Sequence, residues 1–183
     1  MNFPVLTTSR LVLREISTDD AADLFTLFSS PKVMEFYDAE PYIEIEQAKQ
    51  DIERFASWHS KDTGKRWGLA SPETNKIIGT CGLFAHHKTY RSCLVGYDLL
   101  PKYWGIGYMQ EALISVLNYG FNSMNINRVQ ATTNLGSARS IHTLESLGFN
   151  EEGILREWGF WKGMFHDVRC FSLLQSDSPS WRA

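Results

Sequence analysis

Apolar residues recur along this chain at two periods, and each change of period marks an element. Leu11-Val12-Leu13 reads as a first strand. Ser17 or Thr18 then caps a helix that opens on Asp19 and Asp20, where negative charge suits a helix N-terminus. Ala21, Leu24, Leu27 and Phe28 form its inner face. A second helix is predicted from about Glu44 to His59, with Ile45, Ala48, Ile52 and Phe55 on one side. Between the two, Pro31 to Pro41 is irregular. Arg66 to Ala70 reads as a strand, Pro72-Glu73-Thr74-Asn75 as a turn, and Ile77 to Phe84 as the next strand. Cys93, Val95, Tyr97 and Leu99 alternate with Leu94, Gly96 and Asp98 in a further strand, which Pro101 ends. After Gly105-Ile106-Gly107, Met109, Ala112, Leu113, Val116, Leu117 and Phe121 fall at helical spacing. Arg128 to Thr133 is a strand, and Ala138, Ile141 and Leu144 mark a short helix stopped by Gly148. Strands near Ile154 to Trp161 and Asp167 to Leu174 finish the pattern. This order predicts one three-layer α/β (α+β) domain over residues 1–175 with a mixed sheet, followed by a polar tail over 176–183.

Composition narrows the function classes. With 183 residues, 43% of them hydrophobic, the chain can bury a full core. A net charge of −3 argues against a general nucleic-acid binder. No apolar run approaches the roughly 18 to 20 residues of a membrane span. Met1-Asn2-Phe3-Pro4 lacks the basic start and apolar stretch of a secretion signal. Cys81, Cys93 and Cys170 are an odd set without a CxxC pair, so neither a disulfide framework nor a zinc site is expected, and a cytoplasmic location is. His59, His142 and His166 show no metal-binding spacing. The expectation is no metal, no membrane and no nucleic acid.

The chemistry concentrates between Leu99 and Ala112. A strand stops, a glycine loop follows and a helix begins. Glycines allow a ligand close to the backbone, and the first helical turn offers free N–H groups and a positive dipole end, a site for phosphate or pyrophosphate. The P-loop spacing fails, because Gln110 stands where its second glycine would be. A dinucleotide fingerprint fails too: it needs a third glycine at Gln110 and an acid on the following strand, Arg128-Val129-Gln130-Ala131-Thr132-Thr133. On these grounds alone, a tight strand-to-helix turn without a ligand stays open.

Lys102-Tyr103-Trp104-Gly105-Ile106-Gly107 resembles the acetyl-CoA pyrophosphate loop of the GNAT N-acetyltransferases, [QR]-x-x-G-x-[GA], with Lys at the first position. Thr8 to Arg14, Tyr103 to Leu113, Asn127 to Ala131, Leu147-Gly148-Phe149, Glu152 to Arg156 and Gly163 followed by Asp167 are similar to the RimJ/RimL branch, which acetylates ribosomal-protein N-termini. The likeness spans residues 5 to 174 and implies a mostly antiparallel mixed sheet.

The resemblance assigns roles. Trp104, Gly105, Ile106, Gly107, Tyr108 and Met109 would cradle the pyrophosphate, with Lys102 adding charge. Leu99 or Leu100 would polarise the acetyl carbonyl with a backbone N–H. The family's N-x-x-S falls on Ser137 to Ser140, so Ser140 would stand near the CoA sulfur as proton donor, with Ser137 and Asn134 beside the cofactor; helix capping and a plain surface serine are the alternative. Where the family often carries a strand acid, this chain has Leu94. Asp98 is a substitute base, against a reading as a solvent-facing carboxylate. His86 and His87 read either as a base or as a polar turn. Glu35, Tyr37, Trp158 and Trp161 are acceptor-side candidates. The implied function is acetyl transfer from acetyl-CoA to an amine acceptor, foremost a protein N-terminus, by a monomer or homodimer. The alternatives are a small-molecule or antibiotic acetyltransferase and a non-catalytic acyl-CoA-binding module.

Overall fold

The computed structural model describes residues 2–177. Eight strands form one sheet: β1 (Leu6–Thr7), β2 (Val12–Glu15), β3 (Lys65–Ala70), β4 (Ile77–His87), β5 (Ser92–Leu99), β6 (Arg128–Asn134), β7 (Asn150–Trp161) and β8 (Met164–Leu174). Their spatial order is β1-β2-β3-β4-β5-β6-β8-β7. Every neighbouring pair is antiparallel except β5 and β6, which run parallel. The parallel pair requires a crossover, and the chain supplies it as the helix α4 (Tyr108–Ser123).

Helices cover both faces, as the alternation of apolar residues demands. On one face α4 buries Ala112, Leu113, Val116, Leu117 and Phe121 against Trp67, Leu69, Leu83, Val95 and Leu99, with α5 (Ala138–Ser146) adding Leu144. On the other, α1 (Ala21–Phe28), the single turn α2 (Pro31–Met34) and α3 (Ile45–Ser60) bury Leu24, Leu27, Phe28, Met34, Ile52 and Phe55 against Ile16, Ala70 and Ile77. Each fully buried Leu or Phe contributes about 1.5–3 kcal/mol, so the two layers are held chiefly by apolar burial.

The expected helices and strands are present, with shifted ends. The first helix starts after a 3₁₀ turn at Thr18–Asp20, where the Asp20 carboxylate accepts the Ser17 N–H at 2.8 Å. Pro31 opens α2 inside the stretch expected to be irregular, since proline fits the first helical position. Residues 178–183 of the expected tail lie outside the described residues. Before them, Asp177 accepts the Leu174 N–H at 2.7 Å. Among the described residues, no helix is long and apolar enough to cross a membrane.

Candidate active site

The site begins where the sheet comes apart. β5 pairs with β4 along its length, from Ser92 to Leu99. With β6 it pairs only at Ser92, Cys93 and Leu94, opposite Arg128, Val129 and Gln130. Beyond Leu94 the two strands diverge and leave a slot between Val95–Leu99 and Ala131–Asn134. The Leu100 N–H donates to Ile78 O at 2.9 Å, so it is committed to β4. Alternation therefore turns the Leu99 N–H toward the slot. Of the two residues expected to polarise a carbonyl, the backbone leaves Leu99.

At the end of β5 the chain makes a 3₁₀ turn, Pro101–Tyr103, and enters α4 through Trp104–Gly107. Gly105 and Gly107 have φ of +76° and +84°, a left-handed backbone that glycine adopts without strain. No side chain caps α4, and its first closing bond is Glu111 N–H to Gly107 O at 3.0 Å. Among the described residues, the N–H groups of Gly105 to Gln110 have no backbone acceptor, and they converge at the positive end of the helix. This is the donor set a pyrophosphate needs.

Side chains brace the loop. Trp104 Nε1 donates to Leu99 O at 2.7 Å, and the Arg139 guanidinium lies 4.5 Å from the Trp104 ring centre. Arg10, from the segment before β2, donates from Nη1 to Ile106 O at 2.8 Å and from Nε to Glu111 Oε2 at 2.6 Å. Its backbone N–H donates to Glu111 Oε1 at 2.8 Å. Burial works against the ionised form of Glu111, but hydrogen bonds from Thr8, Arg10 and Ser9 outweigh it and hold the carboxyl down to about 2. Lys102 is exposed beside the Tyr103 ring.

Two polar groups flank the slot on opposite faces of β5. Tyr97 points to the α4–α5 side, where its hydroxyl lies 2.7 Å from Ser140 Oγ and donates to Ser140 O at 3.2 Å. Burial pushes the Tyr97 hydroxyl well above the usual phenol range, so it stays protonated. Asp98 points to the α1–α3 side. It does not face solvent: it is 7% exposed and ion-paired with Arg66, with the Thr80 hydroxyl 3.3 Å from the same oxygen. Burial lifts its carboxyl to about 6, against the pull of Arg66 and Thr80. Burial, followed by the Asp98 charge, likewise raises the Tyr37 hydroxyl far above its ordinary value, and Tyr37 packs on the same α1–α3 side, its ring 5.7 Å from that of Phe28.

The remaining candidates spread around these two faces. Ser137 stands at the N-cap of α5 but makes no side-chain capping bond. Asn134 Nδ2 donates to Phe36 O at 2.7 Å, which ties the end of β6 to the α2–α3 segment. Lys162 Nζ donates to Met34 O at 2.6 Å and binds the β7–β8 turn to the same segment, beside exposed Glu35. Trp161 stacks on His166 with ring centres 4.2 Å apart, while Trp158 is 54% exposed. His86 and His87 lie at the opposite end of β5 from the slot, and His87 stacks on Tyr90. Arg10, Arg66, Tyr97 and Arg139, none of them singled out from the sequence, stand against the loop or the two faces of β5.

Residues 10–150 match the family model described as the acetyltransferase (GNAT) domain. The chain belongs to the GNAT acetyltransferase family. It is 34% identical to the N-acetyltransferase YoaA of Bacillus subtilis over 94% of this chain and 98% of that protein. It is 26% identical to the [ribosomal protein uS5]-alanine N-acetyltransferase of Escherichia coli over 96% of this chain and 92% of that one. Its fold superposes on spermidine N-acetyltransferase of Vibrio cholerae, solved in complex with CoA and spermine, at a TM-score of 0.79 and 24% identity, covering 92% of this chain and 98% of that one. The unpaired N–H groups and the slot fit a CoA-type ligand. Among the described residues, no group of His, Cys, Asp or Glu is placed to hold a metal.

Proposed function

We propose that this acetyltransferase acetylates a primary amine of the kind found at a protein N-terminus. The observation that carries the reading is the slot between β5 and β6, with Asp98 on one face and the Tyr97–Ser140 pair on the other. Acetyl-CoA supplies a thioester whose acetyl carbon bonds to the amine nitrogen as its C–S bond breaks. The amine must lose a proton and the sulfur must gain one, so a base and a donor on opposite sides of the slot suit direct transfer.

In this reading the N–H groups of Gly105 to Gln110 hold the pyrophosphate, with Lys102 and Arg139 adding positive charge. Ser137 and Asn134 border the pantetheine. The Leu99 N–H orients the acetyl carbonyl and stabilises its developing negative charge. Ser140, aligned by Tyr97, returns a proton to sulfur. Asp98 takes the proton of the amine as it enters from the α1–α3 side, past Glu35, Tyr37, Trp158 and Trp161. A carboxyl whose affinity for protons is raised toward neutrality suits that task.

The likeness to the uS5-alanine enzyme supports a peptide acceptor. A polyamine is the second reading, favoured by a 25% identical spermidine N(1)-acetyltransferase of Vibrio cholerae and by the exposed acids Glu35 and Asp38 beside the acceptor face. The test is turnover of acetyl-CoA with Ala- and Ser-initiated peptides against spermidine and spermine, read by product mass. Peptides with free N-termini should gain one acetyl group while the same peptides with blocked N-termini gain none. Turnover confined to polyamines would select the second reading, and turnover on no amine would refute both.

A further inference from the structure

A buried arginine on the acceptor side has a path cleared for it by two glycines. Arg66 on β3 is 5% exposed, on the sheet face that α1 and α3 cover. Gly82 on β4 is its cross-strand partner, and Gly96 on β5 is the partner of Gly82. A Cβ on Gly82 would stand 2.9 Å from Arg66 Cδ, and one on Gly96 would stand 3.1 Å from Arg66 Nη1. The side chain therefore lies flat across two strands. At the far end Nε donates to Thr80 Oγ1 at 2.9 Å and Nη2 donates to Asp98 Oδ2. Phe55 of α3 covers the guanidinium, its ring centre 5.7 Å away. Both contacts to the carboxylate fall on Oδ2; Oδ1 accepts no hydrogen bond among the described residues.

A buried ion pair of this kind is weak evidence for stability, because desolvation offsets most of the attraction. It does fix a geometry. We infer that Arg66 is a positioning residue: it clamps Asp98 through Oδ2, leaves Oδ1 to meet the acceptor amine, and sets how strongly that carboxylate holds a proton. The inference rests on the reading of Asp98 as proton acceptor. Arg66 from β3 and Thr80 from β4 touch Asp98; the Asp38 charge, from the segment after α2, acts on it and the Tyr37 hydroxyl feels it, while Cys81 of β4 lies on the opposite face, in the α4 core. Arg66 is the cation among them, so its removal leaves burial and the Asp38 charge to raise Asp98 against the Thr80 hydrogen bond alone.

The test is kcat against pH, at saturating acetyl-CoA and acceptor, for the wild type, R66K, R66M, D98N and the R66M/D98N double variant. Saturation removes the free amine's own titration from the profile. The wild type should lose activity on the acid side with a midpoint near pH 6. R66M should move that midpoint up by one unit or more, with kcat at low pH falling at least tenfold and KM for acetyl-CoA unchanged. R66K should restore part of the shift. The double variant should be no slower than D98N, and it guards against misfolding of R66M, because it leaves no charge buried alone. An R66M midpoint equal to the wild type's, or losses in R66M and D98N that multiply, would overturn the Arg66 role. A D98N enzyme with wild-type rate and profile would instead remove Asp98 from the reaction, and with it the basis of the inference.

Discussion

Replacing Glu111 by Gln should weaken CoA binding, although a simple charge argument gives the opposite sign. Glu111 lies in the first turn of α4, beside the N–H groups that await the phosphates. Taking a negative charge away from there should favour an anion by a few tenths of a kcal/mol. The structure points the other way, because Glu111 holds Arg10 by two contacts at 2.6 and 2.8 Å, and Arg10 holds the Ile106 carbonyl at 2.8 Å. A Cβ on Gly107 would stand 3.3 Å from Arg10 Nη2, so the guanidinium walls the glycine turn as well. A hydrogen bond to a charged group is worth about 1.5–3 kcal/mol when shielded. Arg10 is 41% exposed, so solvent screening brings the expected loss to about 1 kcal/mol. If half or more of that appears as loop disorder, the Kd for CoA rises about two- to fivefold. Calorimetric titration with CoA measures it, and a cycle with R10A should show the two variants to be non-additive, since both remove one strut. Tighter CoA binding by E111Q, or additive losses, would refute the argument.

Gly107→Val should weaken CoA binding by tenfold or more, because a β-branched residue at φ +84° is strained and its side chain meets Arg10; unchanged affinity by calorimetry would count against the loop. Ser140→Ala and Tyr97→Phe should each lower kcat while leaving CoA affinity within about twofold, since they touch the donor side of the slot alone; an unaltered rate would remove the pair from the mechanism. Glu111 and Glu152 are held down to about 2 when folded, against 4.5 ordinarily. Their contribution to stability is therefore full above pH 4.5 and is lost as pH falls toward 2, so acid unfolding of the wild type should lie in that window, and E152Q should flatten the fall in melting temperature.

Most elements were legible because burial imposes a period. The alternation of Cys93, Val95, Tyr97 and Leu99 marked β5 and told, correctly, that Asp98 faces the other side. It could not tell what Asp98 meets there. Arg66 sits on a different strand, and a lone arginine beside Trp67 looks like an edge residue until Gly82 and Gly96 are seen to clear its path. The Arg10–Glu111 pair spans 101 residues, a distance over which spacing carries no signal. β1 is two residues long, too short for any period. β7 and β8 start earlier than expected, at Asn150 and Met164; in β7, bulges between Glu151 and Gly153 and between Leu155 and Gly159 break the alternation that would have shown the start. The slot itself is not legible in the period of either strand. Its physical cause, pairing that stops at Leu94, is a property of two strands and not of either one.

The most direct measurement of the account is a crystal structure of the protein with CoA. The pyrophosphate should lie on the N–H groups between Gly105 and Gln110, the pantetheine should run between β5 and β6, and the sulfur should stop within hydrogen-bond reach of the Tyr97–Ser140 pair, on the opposite side of β5 from Asp98. A CoA bound outside that slot, or a sulfur remote from Ser140, would contradict it.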